Sequence, residues 1–106
     1  MPIVKSSFDE PMVTIGNYSK FGITSESPVI IFTTDWCPVC QRLKNYFNLK
    51  NINYIEYDVE KDIKGLQLFN ELKGDSYPLI LIDNNLIRGF SQIDVEIKLR
   101  ELNLIV

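Results

Sequence analysis

Val29-Ile30-Ile31-Phe32-Thr33-Thr34-Asp35-Trp36-Cys37-Pro38-Val39-Cys40-Gln41-Arg42-Leu43 organises the whole chain. It holds the only two cysteines of the 106 residues, spaced C-x-x-C. Val29–Thr33 is short, apolar and rich in β-branched residues, which predicts a buried strand. Pro38 follows Cys37 directly, a position suited to the first turn of a helix, where its missing N–H costs nothing. Val39, Leu43, Tyr46 and Phe47 then recur at i, i+4, i+7 and i+8, one face of a helix ending near Lys50-Asn51. A strand that delivers a C-x-x-C to the start of a helix is the layout of a redox-active dithiol.

Further along, Asn53–Val59 alternates Ile55, Tyr57 and Val59 with Tyr54, Glu56 and Asp58, which predicts a second strand. A helix is expected from Asp62, with Ile63, Leu66, Phe69 and Leu72 as its apolar stripe and Lys73-Gly74 as its stop. Leu79–Ile82 is another apolar run, introduced by Tyr77-Pro78. Asp83-Asn84-Asn85 is a turn, and Leu86–Phe90 returns as the hairpin partner. Ser91-Gln92-Ile93-Asp94 has the spacing of a capping box for a last helix, with Val95, Leu99 and Leu102 on one face and Ile93 and Ile97 on a neighbouring one.

Residues 1–27 are punctuated by Pro2, Pro11, Gly16 and Gly22 and closed by Pro28. They are expected to form an arm on the domain of residues 28–106. Met12–Ile15 and Phe21–Ile23 are expected to make a short hairpin around Gly16-Asn17. The order of elements is β-α-β-α-β-β-α after this extension. It predicts an α/β fold: a four-stranded mixed sheet with helices on both faces.

A chain of this length is expected to be one domain and to bury roughly two thirds of its unfolded surface, so it needs no disulfide staples. The formal net charge of −3 argues against general nucleic-acid binding, which needs clustered Lys and Arg. The longest apolar runs are far short of a membrane span, and the N-terminus has no apolar core of signal-peptide length. The cytoplasm is the expected compartment, with no membrane association.

There is no histidine, which removes imidazole bases, His-type metal sites and Cys–His pairs. A thiol attacks disulfides as the thiolate. Cys37 at a helix N-terminus would meet unpaired backbone N–H groups and the positive end of the helix dipole, both of which favour that anion. Cys40, one turn on, is the expected resolving thiol. A zinc site would need four ligands where the chain offers two thiols and no His. A purely structural disulfide would close so short a loop that it constrains little of the unfolded chain. No metal ligand is assigned.

This layout resembles the thioredoxin fold over residues 28–103, and within it the glutaredoxin family. The resemblance rests on Cys37-Pro38-Val39-Cys40, on Ile31 where thioredoxins carry a buried Asp, on Tyr77-Pro78 before the hairpin and on Gly89-Phe90 before the last helix. Thr33-Thr34-Asp35-Trp36-Cys37 with Arg42-Leu43-Lys44 is also similar to the mycoredoxin branch. The resemblance implies a thiol–disulfide oxidoreductase with Cys37 as nucleophile and Cys40 as resolving residue. It implies a cis Tyr77-Pro78 bond facing Cys37. It implies substrate or glutathione contacts from Trp36, Pro38, Val39, Arg42, Tyr77, Pro78, Gly89, Phe90, Ser91 and Gln92.

Glutathione is then a co-substrate, no cofactor is tightly bound, and the partners are disulfide-containing or glutathionylated proteins. A monomer is expected. The pattern departs from the family at Thr34, where many glutaredoxins have a Lys, and at Arg88-Gly89-Phe90-Ser91, where they have Gly-Gly. Arg42 or Arg88 would then have to supply the missing positive charge. Two alternatives remain: a redoxin reduced by thioredoxin reductase, and a module that holds an iron–sulfur cluster or metal between two chains.

Overall fold

β2 (Val29–Thr33) is buried along its whole length, and the rest of the molecule is layered on its two faces. Successive side chains of a strand point to opposite sides. Val29 and Ile31 therefore enter one core with Leu43, Phe47, Ile80, Ile82, Ile87, Val95 and Leu99. Ile30 and Phe32 enter a second core with Phe69, Leu72, Leu79, Leu81 and Leu86. The computed structural model describes residues 13–105.

In chain order the elements are β1 (Val13–Ile15), a 3₁₀ turn (Ser19–Phe21), β2, α1 (Pro38–Leu49), β3 (Ile55–Asp58), α2 (Ile63–Glu71), β4 (Leu79–Ile82), β5 (Asn85–Arg88) and α3 (Gln92–Glu101). α1 and α3 cover the first core and α2 the second. The sheet order is β1-β5-β4-β2-β3. β2 is parallel to β3, and the remaining pairs are antiparallel. This is the thioredoxin-like α/β fold that the pattern predicts, with three differences.

The sheet has five strands instead of four. Its added strand is β1, where Val13 opposes Ile87 and Ile15 opposes Asn85. The Gly16 N–H extends the pairing to the Asn84 carbonyl (2.9 Å). β5 would otherwise present unpaired backbone groups at an edge, and this segment satisfies them.

The expected hairpin around Gly16-Asn17 does not form, and Met12 lies outside the described residues. Asn17 Oδ1 instead accepts from the Ser19 N–H (3.1 Å) and bends the chain. Gly22, in the left-handed region at φ 107°, then carries it away from a strand path. Phe21 and Ile23 are thereby buried in the second core.

α2 also turns a different face inward. Phe69 and Leu72 are buried as expected, but Ile63 and Leu66 are exposed. Gly65 takes the inward position, so close to β3 that a Cβ there would lie 2.8 Å from the Tyr57 Cβ. The helix is rotated to lay its glycine on the sheet. Among the described residues no helix is long and apolar enough to cross a membrane.

Candidate active site

The C-terminal end of β2 runs through Thr34, Asp35 and Trp36 into α1. Cys37 is the N-cap of that helix, with extended backbone dihedrals (φ −88°, ψ 108°), and Pro38 opens its first turn. The Cys37 Sγ accepts the backbone N–H of Cys40 at 3.1 Å. It thus takes the role that a Ser or Asp oxygen plays at other helix starts, and one of the orphan N–H groups of α1 is directed at the sulfur. Both thiols are free and buried, Cys37 at 4% exposure and Cys40 at 0%.

Burial, followed by the Cys37 contact, pushes the Cys40 thiol up to about 12, so it is protonated at neutral pH. Limiting iodoacetamide at pH 8 is expected to label Cys37 ahead of Cys40 by at least about tenfold. Peptide mass spectrometry reads the ratio, and equal labelling would contradict the two different environments.

Phe32 of β2 opposes Leu79 of β4. Tyr77-Pro78, immediately before β4, is therefore carried to the level of Thr33-Thr34, beside the dithiol. The Tyr77-Pro78 peptide bond is cis. The Pro78 carbonyl accepts the Gly89 N–H (2.9 Å), which ties this loop to the end of β5. Gly89 has φ 80° in the left-handed region, which only glycine adopts without strain. Trp36 is 63% exposed. Its ring meets Tyr77 edge-on at 5.8 Å, and Tyr77 stacks on Phe69 at 5.1 Å.

The model of the glutaredoxin family matches residues 29–87, more than half of the chain. The chain belongs to the glutaredoxin family. It is 34% identical over 67 residues to an uncharacterized glutaredoxin-like protein of the Clostridium pasteurianum rubredoxin operon, covering 62% of this chain and 89% of that one. A dithiolic glutaredoxin of Trypanosoma brucei brucei superposes with a TM-score of 0.59 at 26% identity, over 76% of this chain and 87% of its own. A glutaredoxin of Archaeoglobus fulgidus shares the fold with a TM-score of 0.64 at 13% identity, covering 80% and 96%. Thiol redox chemistry is what this family and this dithiol have in common.

The remaining residues proposed for a glutaredoxin site fall into separate groups. Arg42, Phe90 and Gln92 come together in a groove of about 430 Å³ between α1 and α3, completed by Asn45, Tyr46 and Leu49. Phe90 packs on Tyr46 at 5.9 Å. Ser91 is the N-cap of α3 and accepts the Asp94 N–H at 3.4 Å, half of the expected capping box.

Pro38 is exposed and Val39 half-buried on the first turn of α1. Arg88 is directed elsewhere: it donates to the Lys73 carbonyl (3.1 Å) and lies 3.8 Å from Asp75. Thr34 is buried at 1% exposure and offers no charge to solvent. Of Arg42 and Arg88, only Arg42 reaches the groove.

Sequence reasoning missed the neighbours that the β3–α2 connection brings to the dithiol. Trp36 Nε1 donates to Glu60 (2.9 Å), and Asp35 pairs with Lys61. The Lys61 ammonium holds the exposed Asp35 carboxyl below its usual range and is itself held above the usual lysine range. Asp35 therefore faces a cation as well as the active-site loop. Deeper, Glu56 Oε2 accepts both the Thr33 hydroxyl (2.6 Å) and the Lys44 ammonium (2.9 Å). No local signal marks these pairs, because the partners lie 12 to 26 residues apart.

Proposed function

We propose that this glutaredoxin reduces protein disulfides or glutathione mixed disulfides through Cys37 and Cys40, with glutathione as the reductant. The observation that carries the proposal is the Cys37 sulfur at the α1 N-terminus, accepting the Cys40 N–H, with Cys40 buried one turn behind it. The Cys37 thiolate attacks one sulfur of the substrate disulfide. One substrate sulfur leaves as a thiolate and the other stays bound to Cys37. Cys40, or a glutathione thiolate, then displaces it. If Cys40 does so, the Cys37–Cys40 disulfide forms, and two glutathione thiols reduce it while becoming one oxidised glutathione.

The α1–α3 groove supports the glutathione assignment. Its size is in the range of small-ligand sites. Arg42 supplies a cation for a carboxylate, and Gln92 opens α3, whose N–H groups attract anions. A second donor is favoured by two observations: Thr34 is buried and uncharged, and Arg88 is engaged with Lys73 and Asp75. These leave Arg42 as the cation for glutathione and keep thioredoxin reductase as the alternative electron source.

The test is the reduction of a glutathionylated peptide with glutathione and its reductase, run beside thioredoxin reductase alone. Turnover with glutathione is expected, and Arg42→Ala should raise its KM by about tenfold, equivalent to about 1.4 kcal/mol, with little change in kcat. Turnover with thioredoxin reductase and none with glutathione would replace the first donor by the second.

A further inference from the structure

We propose that Lys44, held by Glu56, is a positioning residue for the resolving step: its ammonium group assists Cys40 in expelling the substrate from Cys37. Cys40 and Lys44 stand at i and i+4 of α1 and so share one face of the helix. The Lys44 ammonium is anchored on Glu56 Oε2 of β3, and the same oxygen accepts the hydroxyl of Thr33 at the end of β2. Thr33 is 1% exposed. The Lys44 and Glu56 side chains are 21% and 32% exposed. Among the ion pairs between described residues, this is the one with both side chains less than a third exposed. Solvent and salt screen such a pair less than the surface pairs.

The chemistry of resolution explains what this anchor is for. Once Cys37 is bonded to a substrate sulfur, the buried Cys40 must lose its proton to solvent. Its thiolate then attacks the Cys37 Sγ. The Cys37–Cys40 bond forms, the Cys37–substrate bond breaks, and the substrate leaves as a thiolate that is protonated by water. The dithiol loses two electrons and the substrate gains them.

The groups acting on Cys40 come from each neighbouring element. Burial and Cys37 oppose its ionisation, whereas the Thr34 N–H and, more weakly, the Lys44 ammonium favour it. From the loop before β4, Tyr77 also senses the Cys40 charge. Glu56 holds Lys44 above its usual range, so the ammonium persists at any working pH. An anchored cation one turn behind a buried thiol stabilises the anion that the resolving step requires, while its carboxylate partner tempers that effect.

The proposal rests on the dithiol mechanism above, and its test separates the two. The reduced protein is mixed with a substoichiometric amount of bis(thionitrobenzoate) disulfide across pH 5 to 9. The first coloured thiolate released reports attack by Cys37 and the second reports resolution by Cys40. Lys44→Met is expected to slow the second release by about threefold, moving its pH limb up by about half a unit, with the first release unchanged within about 1.5-fold. Lys44→Arg should restore it. Glu56→Gln leaves the ammonium uncompensated and should speed the second release by about threefold, half a pH unit.

Opposite effects of Lys44→Met and Glu56→Gln mark the electrostatic role. If both slow the second step, or both steps slow together, the pair is merely structural and the proposal falls. An unaltered second release in Lys44→Met would overturn it equally. A wild-type protein that gives no first release would instead defeat the dithiol mechanism itself.

Discussion

Cys37→Ser is expected to lower disulfide reduction by at least about three orders of magnitude, the scale of losing a covalent nucleophile, while leaving the fold intact. The loss is chemical. A serine hydroxyl stays protonated at neutral pH and does not attack sulfur, and the chain has no histidine to act as its base. The fold survives because residue 37 is the N-cap of α1, and Ser is among the preferred N-caps. Its oxygen can accept the Cys40 N–H that the sulfur accepts now.

Cys40→Ser should behave differently. Cys37 still attacks, so the variant accumulates a mixed disulfide with its substrate and turns over only when an external thiol releases it. Steady-state reduction assays, circular dichroism and mass spectrometry of the trapped adduct read these outcomes. A folded Cys37→Ser protein with wild-type activity would sink the assignment of the nucleophile.

Phe32→Ala is expected to cost about 3–5 kcal/mol of stability, a large share of the roughly 5–15 kcal/mol available to a natural domain. Phe32 is fully buried in β2. It stacks on Tyr57 of β3 at 5.5 Å and tilts against Phe69 of α2 at 6.2 Å. Removing its ring leaves a cavity bounded by two strands and a helix that cannot all close in on it, since β2 is hydrogen-bonded on both sides. Ile15→Ala, on β1 where the side chain is 74% exposed, should stay within about 0.5 kcal/mol. Urea unfolding gives both values from the shift in midpoint at constant slope. A loss below about 1 kcal/mol in Phe32→Ala would show that the second core does not depend on this ring.

Cys37→Ser and Phe32→Ala mark the two kinds of information in the chain. Cys37, Pro38 and Cys40 were legible because their geometry is local. An N-cap, a first-turn proline and a thiol one turn on are related by helix spacing alone, whatever the rest of the protein does. The same holds for Ser91 and Asp94 at the start of α3 and for the Leu79–Ile82 strand with its turn at Asp83. The unbroken apolar run Val29–Phe32 likewise reveals that β2 is buried on both faces.

The inward face of α2 escapes the sequence for a related reason. Periodicity names the apolar positions, but Gly65 carries no hydrophobic signal. Only contact with Tyr57 makes it the buried one, at the expense of Ile63 and Leu66.

By itself, then, the sequence determined the thioredoxin-like order of elements, the dithiol and the helix that presents it, because each depends on residues within about one helical turn or one strand. The tertiary structure alone decided which distant segments meet, among them the neighbours of the dithiol. It pairs Val13 with Ile87, sets Trp36 on Glu60 and Asp35 on Lys61, and anchors Lys44 to Glu56, which also accepts the Thr33 hydroxyl. Those contacts join segments far apart in the chain, and their energies depend on burial and on charges that meet only once the sheet has assembled. A charged residue reads the same in the sequence whether it ends up solvated or clamped behind a thiol, and the packing of α1 on β2 and β3 makes the difference.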